Sequence, residues 1–429
     1  MTENITLKFA MGMSVNRQTG LEERGSARYM SSPRFYKANG GARLDARNRE
    51  FEYFIAIYKP IIEERYIYTF DYQENESWTV YEPEGDYDSF WREDHMFLSD
   101  VYFRICIRRI DGADFSEGDL DEANRAFILN NPVSVTPVKT RIIDEAERAS
   151  DRARHFRAAD SLVIALLADT HYVVNGTWPD TAESLRQTHK LTGFRAIIHL
   201  GDLTDGMVTA EVTEEYARLQ IEELNSIAPL YLTPGNHDAN YFRGNSDVFS
   251  PEKQCEVYSL PAPSYYTDFA DNRLRFIFLH SYDPMETERY GFREEDVAWL
   301  KKALDSVPAG WKVIVFSHIP PLAELQYWSK TIRSGEKVSA LLDGYKNILA
   351  YIHGHNHTDT VYTGLSFPVI GVGCAKIEYF EAYKPPGART AKRALNSRTQ
   401  ELWDILVITG DRLDFIRYGA GEDRHIQQR

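Results

Sequence analysis

Apolar and polar positions follow two rhythms along this chain, and the change falls near residue 135. Before it the period is two. In Val101–Arg108 the residues Val101, Phe103, Ile105 and Ile107 fall on one face, with Tyr102, Arg104 and Arg108 on the other. That alternation predicts a half-buried antiparallel strand. Tyr66, Tyr68, Phe70 and Tyr72 likewise share one face of a second strand. Turn formers at Asn39-Gly40-Gly41 and Pro83-Glu84-Gly85-Asp86 separate such runs. Residues 1–135 are therefore expected to form an all-β sandwich.

Asn131-Pro132 and Thr136-Pro137 mark the boundary, and residues 136–160 read as a linker carrying a charged helix at Arg141–Arg157. From residue 161 onward, continuous apolar strands alternate with amphipathic helices. Strands are expected at Leu162–Ala168, Ala196–Leu200, Leu230–Thr233, Leu274–Leu279, Val313–Phe316 and Ile348–Ile352. Helices are expected at Thr181–Leu191, Glu211–Ser226 and Glu294–Leu304. Strands buried on both faces and alternating with helices predict an α/β layered domain over residues 161–429. Leu402–Thr409 and Leu413–Tyr418, joined by Gly410-Asp411, read as a hairpin closing the edge of its sheet.

Composition narrows the partners. With 429 residues, 43% hydrophobic and 26% charged, the chain is globular rather than disordered or fibrous. Its 49 Lys+Arg against 64 Asp+Glu give −15 at pH 7. That charge opposes encounter with long nucleic acids or an anionic membrane surface, while leaving room for a local phosphate site. The three cysteines, Cys106, Cys255 and Cys374, show no paired spacing and read as small buried residues rather than as disulfides or a thiolate zinc site. No apolar run approaches the roughly 18–20 residues that span a bilayer. The opening MTENITLKFAMGMSV does not read as a signal peptide, so a cytoplasmic location is expected.

Metal-ligand residue types sit just past the apolar strands. Asp169-Thr170-His171, Gly201-Asp202-Leu203-Thr204-Asp205, Gly235-Asn236-His237-Asp238, Ser317-His318 and His353-Gly354-His355-Asn356-His357 each follow one strand. Ligands in open α/β sheets bind at the carboxyl ends of strands, so these five loops are expected to converge. An oxygen and nitrogen donor set rich in imidazole suits two divalent or trivalent ions such as Mn, Fe or Zn, and is unlike a Ca²⁺ or Mg²⁺ cage. The donors are too many for one tetrahedral ion, and a carboxylate can serve two.

D-x-H, GD-x-x-D, GNHD, a lone His and GH-x-H in this order resemble the calcineurin-like metallophosphoesterases, over roughly residues 160–375. The resemblance implies a four-layer α/β/β/α sandwich that hydrolyses a phosphate mono- or diester, with a phosphodiesterase favoured. It implies one ion held by Asp169, His171 and His357, a second held by Asn236, His318 and His355, and Asp202 shared between them. A hydroxide bridging the ions would attack phosphorus. His237 would give its proton to the leaving group, and Asp205 would hold the His237 ring and favour its charged form. A small phosphoester is the expected substrate. The alternatives are a nuclease-type phosphodiesterase acting on nucleic-acid ends, which requires a basic groove, and a glycan- or surface-binding protein with an inactive phosphoesterase scaffold.

Other residues admit two roles each. Arg243, beside Tyr241 and Phe242, is either a bidentate phosphate clamp or an ordinary surface arginine. Tyr172 and Asn175 either line the cleft or only shape their loop. Tyr327, Trp328 and Lys330 belong either to a recognition loop or to aromatic packing. His199, His280 and His353 are read as structural, with outer contacts to the site open to His280 and His353. The N-terminal region resembles accessory β-sandwich modules of bacterial surface and phage-associated proteins through Tyr68–Asp71, Trp78 and Tyr102–Gly112. Such modules often bind glycans, so Trp78 or Trp91 either stacks on a sugar ring or fills the sandwich core, the commoner fate of an aromatic.

Overall fold

In a computed structural model of the chain, residues 2–16, 22–47, 50–58, 78–81, 94–97, 100–133, 137–172, 176–206, 210–241, 247–326, 331–376 and 391–428 are described. The chain divides into two compact units, one over residues 1–137 and 174–176 and the other over 138–173 and 177–429. The strand expected at Tyr66–Tyr72 and the turn expected at Pro83–Asp86 lie outside the described residues.

The described residues of the first unit form two larger antiparallel sheets and a two-stranded one, Met13–Val15 with Glu22–Arg24. Thr2–Thr6, Phe127–Pro132, Arg43–Ala46 and Asp94–Met96 form one of the larger two. The other is built around Val101–Arg109, which pairs with Phe51–Tyr58 on one side and with Met30–Ser31 and Tyr36–Ala38 on the other. Leu44, Phe51, Phe103, Ile105, Phe127 and Leu129 share the core of this sandwich. Two details depart from the sequence reading. Arg104, expected to face solvent, is buried, and its guanidinium donates to the Ser32 carbonyl at 2.8 Å. The Val101–Arg109 strand is thus covered on both faces over most of its length. A helix also appears at Glu117–Ala126, within a region read as all strand. Ser116 and Asp119 close a capping box at its start, satisfying N–H groups that the first turn leaves without partners.

Two six-stranded sheets form the second unit. The first runs in the order Leu230–Leu232, Ile197–His199, Leu162–Leu167, Leu402–Thr409, Arg412–Gly419, Arg424–Gln427. The second runs Tyr265–Phe269, Leu274–Leu279, Lys312–Ser317, Ile348–His353, Val369–Gly371, Thr360–Tyr362. The strands that carry the motif loops are parallel to one another within each sheet, which brings their carboxyl ends to one edge.

All six residues of Leu162–Leu167 are buried. Leu162, Ile164 and Leu166 meet Phe276, Phe278, Ile314 and Phe316 between the sheets. On the far side of the second sheet, Ile277, Val313 and Val315 pack on Leu300 and Leu304 of helix Glu294–Asp305 and on Val338 and Leu342 of helix Gly335–Asp343. Helix Thr140–Phe156 lies on the Arg412–Gly419 strand and against helix Trp178–Thr192. The result is the expected α/β/β/α sandwich.

The charged stretch Asp144–Arg157 is the outer face of that first helix. Ile142, Ala146, Ala149 and Ala153 form a buried stripe at helical spacing, so the segment covers a sheet and belongs to the second unit. The C-terminal hairpin has the predicted strands but a different position. Leu402–Thr409 pairs with Leu162–Leu167 in the middle of the first sheet, and Arg424–Gln427 forms the edge beyond it.

A buried ion network ties the two sheets together. The Arg417 guanidinium donates to Asp404 at 2.9 Å and to Asp359 at 2.7 Å, and Arg424 reaches the same two carboxylates at 2.7 Å and 3.2 Å. Asp404, Arg417 and Arg424 lie in the first sheet, and Asp359 precedes a strand of the second.

Candidate metal centre

The five motif loops meet at the shared edge of the two sheets. Backbone hydrogen bonds join them: Asp169 N–H donates to Gly201, His171 N–H to Asp202, and Gly354 N–H to His318, at 2.9–3.1 Å. Each loop must turn within one or two residues of its strand end. Asp169, His171, Asp202, His355 and His357 consequently adopt left-handed backbone, with φ of 56°, 38°, 52°, 67° and 57°. Such conformations cost of order 1–3 kcal/mol each for side-chain-bearing residues and collect at functional sites. Gly201 and Gly235 make the close approach possible. A Cβ on Gly201 would lie 2.6 Å from Gly235 N, and one on Gly235 would lie 2.8 Å from Asp202 Cγ.

The side chains fall into two clusters. In the first, His171 Nε2 is 3.1 Å from His357 Nε2, His357 Nε2 is 3.4 Å from Asp169 Oδ1, and His171 Nε2 is 3.6 Å from Asp202 Oδ2. In the second, His318 Nε2 is 3.1 Å from both Asn236 Oδ1 and His355 Nδ1, and 3.3 Å from Asp202 Oδ2. Donor atoms bound to one ion at about 2.0–2.2 Å stand about 3.0–3.6 Å apart at ordinary bond angles, so both clusters have the spacing of an ion's coordination sphere. Asp202 Oδ2 is common to the two. All seven residues are nearly inaccessible to solvent, and these Asp and His residues form groups able to hold metal ions.

Their surroundings orient them. His318 Nδ1–H donates to the Leu200 carbonyl at 2.8 Å, which leaves Nε2 for the cluster. Burial works against charge on His318, but Asp202 beside it outweighs burial and raises the ring to about 9. Burial, with the neighbouring His318, pushes His355 the other way. Burial would raise Asp202, yet the facing His318, His237 and His171 hold it well below the usual carboxylate range.

His237 is partly buried beside the first cluster, its ring centroid 4.4 Å from that of His171. Its backbone N–H donates to Asp202 Oδ1 at 2.8 Å, and its Nδ1–H to a carbonyl oxygen at 2.8 Å. That carbonyl belongs to Asp205, so the sequence expectation needs correction. The Asp205 backbone grips His237, while its carboxylate lies 3.2 Å from His171 Nδ1 and 3.7 Å from Lys376 Nζ. The charged form of His237 is not favoured either: burial outweighs the attraction of Asp202 and lowers the ring to about 4.

Arg243, Phe242, Asn175, Tyr327, Trp328 and Lys330 lie outside the described residues, as do Trp91 and the side chain of Trp78. Tyr172 is buried against Trp178 and Tyr216, so it shapes its loop. His199 accepts from Gly201 N–H at 3.2 Å and contacts Thr170 Oγ1 at 3.1 Å. His353 Nδ1–H donates to the Gly354 carbonyl at 2.9 Å. Both are structural, and burial keeps them neutral. His280 is buried, with Asp296 3.9 Å away.

Three neighbours were not picked out from sequence. Asp238 accepts N–H bonds from Leu203, Thr204 and Gly235, locking two ligand loops together. It stands in the GNHD block, so a signal was present. Lys376 and Cys374 follow the short Val369–Gly371 strand and carry no motif.

A buried oxygen and nitrogen donor cluster at the strand ends of an α/β/β/α sandwich is able to hold metal ions. The sequence profile of the calcineurin-like phosphoesterases matches residues 162–359. Among solved structures, a dimetal phosphatase from Danio rerio shares 16% identity, over 62% of this chain and 99% of that one, at a TM-score of 0.46. A purple acid phosphatase from yellow lupin, Lupinus luteus, shares 12%, over 99% of this chain and 74% of that one, at 0.43. The phosphopantetheinyl hydrolase of Mycobacterium tuberculosis shares 13%, over 51% of this chain and 91% of that one, at 0.35. No curated protein sequence matches the chain. Among the described residues no helix is long and apolar enough to cross a membrane.

Proposed function

We propose that the second unit hydrolyses a small phosphate ester, a diester in preference to a monoester, with two metal ions of the Mn, Fe or Zn type. Asp169, His171 and His357 would hold one ion, Asn236, His318 and His355 the other, and Asp202 both. The observation that carries this reading is the pair of clusters sharing Asp202 Oδ2, each spaced as the donors of one ion. When bound, such ions lower the pKa of a shared water toward neutrality and offset phosphoryl charge.

The protein's own residues do the rest. Leu200 and Asp238 fix the ligand loops, so little reorganisation accompanies reaction. His237, held through Nδ1 by the Asp205 carbonyl beside the first cluster, would serve the leaving group through its other ring nitrogen. An approaching phosphoryl anion would favour the charged ring, which takes a proton from solvent and gives it to the leaving oxygen.

Elemental analysis combined with a panel of p-nitrophenyl phosphate mono- and diesters tests the reading. Two ions per chain and faster turnover of diesters are expected, with both metal content and turnover lost in Asp202→Asn. An Asp202→Asn protein that keeps two ions and full turnover would overturn it.

A further inference from the structure

A sixth strand end reaches the same site. Val369–Gly371 runs parallel to Ile348–His353, and the chain leaving it passes beside Asp169. Ala375 N–H donates to the Ala168 carbonyl at 2.8 Å, and Lys376 N–H to the Asp169 carbonyl at 3.1 Å. Arg393 donates to the carbonyls of Cys374, Ala375 and Lys376 at 2.7–2.8 Å. Gly373 N–H donates to Asp359 at 3.1 Å. Cys374 is thereby fixed from both sides and buried, with Sγ 3.0 Å from the Asp169 carbonyl. Its sulfur and one ring nitrogen each from His171 and His357 all lie within 4.8 Å of one another.

We infer that Cys374 gives a sulfur donor to the ion held by Asp169, His171 and His357. The inference rests on the two-ion reading above and goes beyond it, because it makes the two positions chemically unequal. Sulfur bonds zinc at about 2.3 Å and imidazole nitrogen at about 2.0–2.1 Å, so the two donors stand about 3.5 Å apart on a tetrahedral ion, inside the observed limit. On binding, the thiol releases its proton and the thiolate becomes the ligand. A soft donor selects zinc, iron or cobalt over manganese, whereas the cluster of Asn236, His318, His355 and Asp202 has only nitrogen and oxygen. The first position would therefore retain a softer ion than the second.

Reconstitution with Co²⁺ alone tests this, because a thiolate–Co²⁺ bond gives an intense near-ultraviolet charge-transfer band and imidazole or carboxylate does not. The wild-type protein carrying two Co²⁺ per chain is expected to show the band, and Cys374→Ser and Cys374→Ala are expected to lose it. Neither Cys106 nor Cys255 belongs to a donor group among the described residues, so they supply no background. In competition with Mn²⁺, the variants should bind Zn²⁺ on the order of 10–100-fold more weakly at one position and unchanged at the other. Two bound Co²⁺ without the band, or a band that survives both substitutions, would overturn the inference while leaving the phosphoesterase reading standing. If a variant does not fold, the wild-type spectrum decides alone. Failure of the wild type to take up Co²⁺ at all would remove both.

Discussion

Protons occupy several of the ligand positions when no ion does. His318 is raised to about 9, where Asp202 overcomes the burial that opposes its charge. His357 is raised as well, burial again opposing and Cys374 and Asp169 prevailing. Both folded values exceed the ordinary imidazole value of about 6.5. These charge pairs therefore support the metal-free fold in full below that pH, and for His318 the support fades as pH rises through about 9. An ion needs the same lone pairs. At pH 7, loading the metal-free protein should release the protons of His318 and His357, with Cys374 adding its own where it is a ligand, and affinity should climb as pH rises through about 9. A weakly buffered titration read with an indicator dye measures this, and uptake without acidification contradicts it. His237 stands apart because its nitrogens are not in either cluster. His237→Ala should keep both ions and lower kcat by roughly 10²–10⁴-fold. A variant of wild-type speed removes the proton-donor role. The ligand types were legible because each follows an apolar strand in a recognisable block. The grip on His237 was not, since a backbone carbonyl leaves no mark in the identity of residue 205.

Elements place these residues through their connections. Arg417 and Arg424 of one sheet reach Asp359, two positions after His357, so the network holds a ligand loop as well as the two sheets. Removing Arg417 would leave the buried Asp404 and Asp359 carboxylates to Arg424 alone, a loss of up to about 3–5 kcal/mol, whereas exposed pairs such as Arg218 with Glu222 contribute little. Chemical denaturation of Arg417→Ala should show that loss, and a change below about 1 kcal/mol would mean that water replaces the guanidinium. Strands such as Leu162–Leu167 and Leu274–Leu279 were readable because burial on both faces demands continuous apolar sequence. Arg424–Gln427 was missed because an edge strand with alternating exposure carries Arg, His and Gln. Helix Glu117–Ala126 was missed because only Ala123 and Ala126 are buried, too few positions to set a rhythm.

At the scale of the whole molecule, the −15 net charge works against an anionic substrate at long range. Added salt shortens the reach of that repulsion. For a small anionic aryl ester, kcat/KM should rise modestly between low and physiological ionic strength. A steep fall would instead indicate a basic funnel and favour the nucleic-acid alternative. The layered architecture was legible from alternating strands and helices, whereas the placement of the C-terminal hairpin was not, because its sequence specifies strands but not neighbours. That placement governs the order in which the molecule can be completed. Leu162–Leu167 is apolar throughout and waits for Leu402–Thr409 to cover its free side. During synthesis, some 235 residues must emerge before that partner exists, and until then the strand bearing Asp169 presents an open, sticky margin. Premature stop codons between residues 168 and 402 should therefore yield insoluble chains rather than weakened enzymes.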